Sequence, residues 1–209
     1  MTNPPLPIVL AITGASGAPY AVRLIQQLVQ AQRPLSLIVS SHGLRLLATE
    51  TNLPTIAALR DNIGPTPWDQ LVTLYDDHDR GATPASGSAR TAGMVICPCS
   101  MGTASAIAHG SSRSLIERAA DVTLKERRPL LLVPREPPFS TIHLDNLLTL
   151  SRLGVTILPA SPGFYHRPTT IQTLIDFVVA RILDHLDVPH QLIPRWGTPE
   201  EPVGGGAMV

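Results

Sequence analysis

Arg135 and Glu136, set between Pro134 and Pro137-Pro138, are the side chains of this sequence best placed to do chemistry. They follow a continuous apolar run at residues 130–133, the pattern of a strand buried on both faces of a parallel sheet. Open α/β sheets bind ligands in the crevice beyond the carboxyl ends of such strands. A guanidinium and a carboxylate placed there can hold an anion and move a proton. The same stretch also suits a surface loop with a local ion pair.

Other strand ends carry compatible groups. Thr13-Gly14-Ala15-Ser16-Gly17 leaves an apolar run and enters a helix, where backbone amides and the helix dipole favour a phosphate. It lacks the glycines of the dinucleotide fingerprint, and Ala18 stands where a nucleophile elbow needs glycine. A tight structural turn is the alternative reading. Cys97-Pro98-Cys99-Ser100-Met101-Gly102-Thr103 repeats the theme, with small residues for close backbone approach and hydroxyls for polar edges. Close helix packing would use the same small residues.

The cations lie further along. Arg118 and Lys125, seven residues apart, share a helical face, with Asp121 between them able to pair with either. A solvated charged face is the plainer account of that trio. Arg181 falls on the apolar stripe of the last helix, Ile171, Leu174, Ile175, Val178, Ile182 and Leu186, where a guanidinium is costly unless it meets an anion. Tyr165, in Pro162-Gly163-Phe164-Tyr165-His166-Arg167-Pro168, offers a phenol to that anion or packs like any other tyrosine. Asp76-Asp77-His78-Asp79 reads as a polar loop rather than a metal site, and the seven histidines are scattered without a Ser/His/Asp setting.

These groups need a scaffold of alternating strands and helices. Strands are expected at 8–12, 35–39, 71–75, 94–97, 130–133 and 155–158. Helices are expected after Gly17, with Pro19 in the first turn, and after Ser40-Ser41 as far as Glu50. Further helices should open at Ser100, span 115–127, start at Ser140 or Thr141, and run from Thr169 or Thr170 to about Leu186. Residues 60–93, rich in Pro, Gly and Asp, give no clear pattern beyond the strand at 71–75. The pattern predicts one doubly wound α/β domain over 1–193 with a mostly parallel sheet, flavodoxin-like or Rossmann-like, and a partly disordered tail at 194–209.

Bulk properties narrow the function. A chain of 209 residues with 16 basic and 16 acidic side chains has no basic face for a nucleic acid, and eight aromatics are too few for a base-stacking platform. No apolar run reaches membrane-span length, and the first residues are not those of a signal peptide. Cys97 and Cys99 are expected on opposite faces and reduced, as in a cytoplasmic protein.

In order along the chain, ITGASGAPYAVRL, the Ala85-Ser86-Gly87-Ser88 turn, CPCSMGT, LIERAADVTLKERRPLLLVPREPP, PGFYHRP and ARILD resemble the UbiX family of flavin prenyltransferases, from Ile8 to about Trp196. The resemblance implies a flavodoxin-like fold in a large homo-oligomer, in all expectation a dodecamer, with sites built between subunits. It implies reduced FMN and dimethylallyl phosphate as substrates, no metal, and prenylated FMN as the product passed to a UbiD-type decarboxylase. By motif, Gly14, Ala15, Ser16, Ser40, Ser100, Met101, Gly102, Thr103 and Arg135 would hold FMN, with Arg118 adding charge nearby. Lys125, Tyr165 and Arg181 would grip the donor phosphate, with Arg135 touching it too; Glu136 would be the main acid–base group and Glu50 a second. Two departures imply altered fit rather than lost activity: Ala89 replaces a common aromatic, and Ser112-Arg113-Ser114 a stretch usually holding Asn. The readings set against this one are an FMN-dependent cysteine decarboxylase of the same fold and a non-catalytic FMN-binding subunit.

Overall fold

Period-2 alternation of apolar residues divides every central strand between two cores, one on each face of a single sheet. The computed structural model describes residues 5–195. Its strands are β1 (Ile8–Ile12), β2 (Leu35–Val39), β3 (Val72–Tyr75), β4 (Gly93–Cys99), β5 (Leu130–Pro134) and β6 (Thr156–Ile157). All neighbouring pairs run parallel in the order β3-β2-β1-β4-β5-β6, so the mostly parallel sheet expected is parallel throughout. The chain reverses direction across the sheet between β1 and β4, which makes their carboxyl ends the topological switch point.

The helices are α1 (Ala18–Gln30), α2 (Ser41–Thr51), α3 (Ile56–Ile63), α4 (Pro65–Leu71), α5 (Met101–Ala108), α6 (Leu115–Lys125), α7 (Thr141–Arg152) and α8 (Ile171–His185). Ile8, Leu10 and Ile12 face a core closed by α1 and α8, through Leu24, Leu28, Val179 and Leu183. Val9 and Ala11 face the other core, closed by α5, α6 and α7 through Ile107, Ala119 and Leu150. Each large side chain so buried is worth about 1.5–3 kcal/mol, enough to override weak local propensities.

Several expectations change. Helix α4 falls inside the 60–93 stretch that gave no clear pattern, with Pro65 and Pro67 in its first turn, where the missing N–H costs nothing; α3, capped by Thr55, was not foreseen. The last strand shrinks to two residues. Cys97 and Cys99 do lie in opposite cores, but simple alternation would place them on one face; a register shift between Ile96 and Cys99 separates them. Both thiols are free, and burial pushes the Cys99 pKa up to about 12. Arg181 is not on the buried stripe of α8, which runs through Val178, Val179, Ile182, Leu183 and Leu186; Arg181 and Ile171 face outward. No helix among the described residues is long and apolar enough to cross a membrane. The expected disordered glycine run at Gly204 to Gly206 lies outside the described residues, as does everything from residue 196 on.

Candidate active site at the switch point

Thr13 ties the ends of β1 and β4 together. Its buried hydroxyl donates to the Pro98 carbonyl at 2.9 Å and accepts from the Ser100 amide at 2.8 Å. Sequence reasoning passed over it, although a threonine between an apolar run and a glycine turn is a visible signal. The Ser100 hydroxyl in turn accepts from the Thr103 amide at 3.2 Å and caps α5. Ser40 does the same for α2, accepting from Gly43 at 3.0 Å. Two helix amino-termini therefore open onto one cleft and make its floor electropositive.

That cleft has a volume of about 450 Å³ and takes in Gly14, Ser40, Ser100, Gly102 and Thr103 from the expected flavin set. Ala15, Ser16 and Met101 of that set are not on its lining, Ala15 and Met101 being buried at 5% and 4% exposure. Residues not foreseen complete the rim: His42, whose side chain lies against Gly14, with Asp77, Arg113 and Glu117. Asp77, read from sequence as part of a polar loop, accepts the Leu115 amide on its carbonyl and the Ile116 amide on its carboxylate, fixing the start of α6. Glu117 holds the Arg113 guanidinium through two N–H groups, at 2.8 and 3.2 Å. Hydroxyls, helix ends and the glycines at 14 and 102 suit a flat polar ligand with a phosphate, and the volume lies in the range of cofactor sites.

The turn into α1 departs from expectation. Gly17 takes φ 126°, a value that favours glycine. Its amide and that of Ala18 both donate to one oxygen of Glu50, at 2.8 Å each. The first turn of α1 therefore already holds a carboxylate of the protein itself, and those two amides do not face a phosphate. Burial alone would raise the Glu50 pKa, but the Gly17, Ser16 and Ala18 hydrogen bonds and the Arg135 charge outweigh it and hold the carboxyl below its usual range. Arg135 reaches the same turn, donating from Nε to the Ser16 carbonyl at 3.2 Å, with half-buried Glu136 next to it.

The remaining expected residues do not line this cleft within one chain. Arg118 pairs with Asp121 at 2.8 Å. Lys125 pairs with Glu126 at 2.5 Å and lies against Gly87, in the turn that Arg128 pins through the Gly87 and Ala89 carbonyls at 2.6 and 2.8 Å. Tyr165 stands 64% exposed, edge-on to Phe177 with ring centroids 5.7 Å apart. Arg181 bonds Asp184 at 2.7 Å beside a separate cleft.

The family described as Flavoprotein matches residues 2–183. The flavin prenyltransferase UbiX of Pseudomonas aeruginosa is 51% identical over 197 residues, 91% of this chain and 93% of that protein. The crystal structure of AnUbiX in complex with FMN and dimethylallyl pyrophosphate superposes with TM-score 0.86 at 37% identity, covering 94% of this chain and all of that one. A dodecameric FMN-dependent UbiX-like decarboxylase from Escherichia coli O157:H7 gives TM-score 0.84 at 39% identity, covering 92% and 100%. On the strength of the switch-point cleft and of these likenesses along nearly its whole length, this chain belongs to the UbiX family of flavin prenyltransferases.

Proposed function

We propose that this protein joins the dimethylallyl group of dimethylallyl phosphate to N5 and C6 of reduced FMN, forming prenylated FMN for a UbiD-type decarboxylase. The observation that carries this is the hydroxyl- and helix-end-lined cleft joined, through the Gly14–Gly17 turn, to the Arg135-Glu136 loop. Ser40, Ser100, Gly102, Thr103 and the Gly14 turn would hold the flavin, with Ala15 and Met101 behind them and Arg118 adding charge at a distance. Reduced FMN, when bound, supplies the nucleophilic nitrogen and the second ring carbon that take up the five-carbon unit.

Lys125, Tyr165, Arg181 and Arg135 hold the donor phosphate and stabilise the charge it gains as its carbon–oxygen bond breaks. Glu136 gives a proton to the departing phosphate; when C6 then bonds one alkene carbon of the chain, the other alkene carbon takes up a proton and C6 gives one up, and Glu136 serves that exchange. Glu50, kept ionised by its amide donors, takes a narrower part than a second acid–base group. It shapes the turn and presents negative charge, and it can accept a proton but holds none to give.

Because Lys125, Tyr165 and Arg181 lie 49%, 64% and 48% exposed and off the cleft, a neighbouring subunit brings them to it. Exposed Leu144 and Leu148, one turn apart on α7, support such an assembly, which we take to be a dodecamer in the cytoplasm. Glu136→Gln tests the acid–base assignment: FMN should stay bound while turnover falls about 10²–10⁴-fold. Unchanged turnover would remove Glu136 from its role. Release of carbon dioxide from a peptidyl cysteine, with the flavin unaltered, would instead favour the decarboxylase.

A further inference from the structure

Four helices begin around the switch-point cleft, and their amino-termini are not equally open to an anion. The first turn of α1 is filled by the Glu50 carboxylate. The first three amides of α6 are likewise taken. Leu115 donates to the Asp77 carbonyl at 2.7 Å, Ile116 to the Asp77 carboxylate at 3.0 Å, and Glu117 to the Ser114 hydroxyl at 3.4 Å. The starts of α2 and α5 are capped instead by the neutral hydroxyls of Ser40 and Ser100. An anion entering the cleft is therefore drawn toward α2 and α5.

Arg113 brings the one guanidinium among the described residues that line the cleft. Its side chain is 75% exposed, whereas the Glu117 side chain that holds it is only 11% exposed. Glu117 receives three N–H groups from this single residue: the Arg113 amide and Nε on Oε2, at 2.8 and 3.2 Å, and Nη2 on Oε1 at 2.8 Å. Burial alone would raise the Glu117 pKa, but those bonds and the Arg113 charge hold it below the usual range, so the pair stays charged. Two exposed side chains would each be free to swing and would gain little from pairing. Here a sunken carboxylate grips the backbone and the side chain of the same arginine, which fixes the plane of the guanidinium. Of that group's five N–H donors Glu117 takes two, and those left include one on each Nη, the edge that matches two phosphate oxygens. Both carboxylates of the rim are already engaged, Asp77 by the Ile116 amide and Glu117 by Arg113.

We infer that Arg113, held by Glu117, grips the phosphate of the flavin mononucleotide at the α2 and α5 side of the cleft and makes the protein prefer FMN to riboflavin. Arg113 is a binding residue, and Glu117 is its positioning residue. The inference rests on the reading of this cleft as the flavin site.

The test titrates flavin-free protein with FMN and with riboflavin, followed by flavin fluorescence, and needs no turnover. Arg113→Gln, an exposed change, should weaken FMN binding at least about tenfold and leave riboflavin binding unaltered, as loss of a charge-assisted bond requires. Arg113→Lys, which keeps the charge without the fork, should fall between Arg113→Gln and wild type. Glu117→Gln should lose part of the same preference for FMN. Added salt should erode FMN affinity more steeply in wild type than in Arg113→Gln. Arg113→Gln protein that binds both flavins as wild type does, or that weakens toward both alike, would overturn the inference. So would wild-type protein that binds FMN no more tightly than riboflavin. Protein that passes these titrations but forms no prenylated flavin would sink the prenyl-transfer reading and leave Arg113 standing.

Discussion

Glu50 allows the structural and chemical parts of this site to be pulled apart. One of its oxygens accepts both the Gly17 and Ala18 amides at 2.8 Å, and both residues are buried. Glu50→Ala strands two donors at once. A hydrogen bond to a charged acceptor is worth about 1.5–3 kcal/mol, and loss of a helix cap costs about 0.5–2 kcal/mol. Because Glu50 is only partly buried, the two bonds together sit at about 2–4 kcal/mol rather than their full sum. At about 2–4 °C per kcal/mol for a chain of this size, the midpoint should fall by about 4–16 °C. Glu50→Gln keeps an oxygen in place and loses only charge, so its midpoint should stay within about 4 °C of wild type.

The sign with pH follows from a folded pKa below the unfolded one. The contribution of the charge is complete above the unfolded carboxyl value of about 4.3 and is lost as pH falls through the lower folded value. Differential scanning calorimetry from about pH 3 to 7 should show the wild-type advantage over Glu50→Gln shrinking on the acid side. Glu50→Ala as stable as wild type, or Glu50→Gln as weak as Glu50→Ala, would refute the reasoning.

Two further perturbations probe the parts that a single chain leaves apart. A Cβ at residue 87 would meet the Glu126 carboxylate and the Lys125 ammonium, so Gly87→Ala should displace Lys125 and raise donor KM with FMN affinity unchanged; an unaltered KM would detach Lys125 from the donor. Leu148→Glu adds charge to a face that also exposes Leu144, and sedimentation should show a smaller assembly. An assembly of unaltered size would mean that this face is not an interface.

Much of the scaffold could be read because the sheet is covered on both sides. Runs such as Ile8–Ile12 and Leu130–Pro134 have no polar face to confuse the pattern. Helix α4 was not legible because prolines that usually end helices stand here at its beginning. The cleft's hydroxyls were legible because Ser40 and Ser100 directly follow strands and cap helices. Contacts between distant positions were not: nothing local in Glu50 announces that its carboxylate closes a turn 33 residues earlier, or that Arg135 leans on Ser16. Arg181 misled for another reason. Seven- and three-residue offsets from apolar neighbours place it near the stripe, but Val179 and Leu183 turn the buried face of α8 away from it.

Mass spectrometry of the flavin, after anaerobic incubation of the protein with reduced FMN and dimethylallyl phosphate, tests the central claim most directly. The account predicts a flavin heavier by one five-carbon unit, with inorganic phosphate released in equal amount. FMN recovered unchanged from protein that binds both compounds would contradict it.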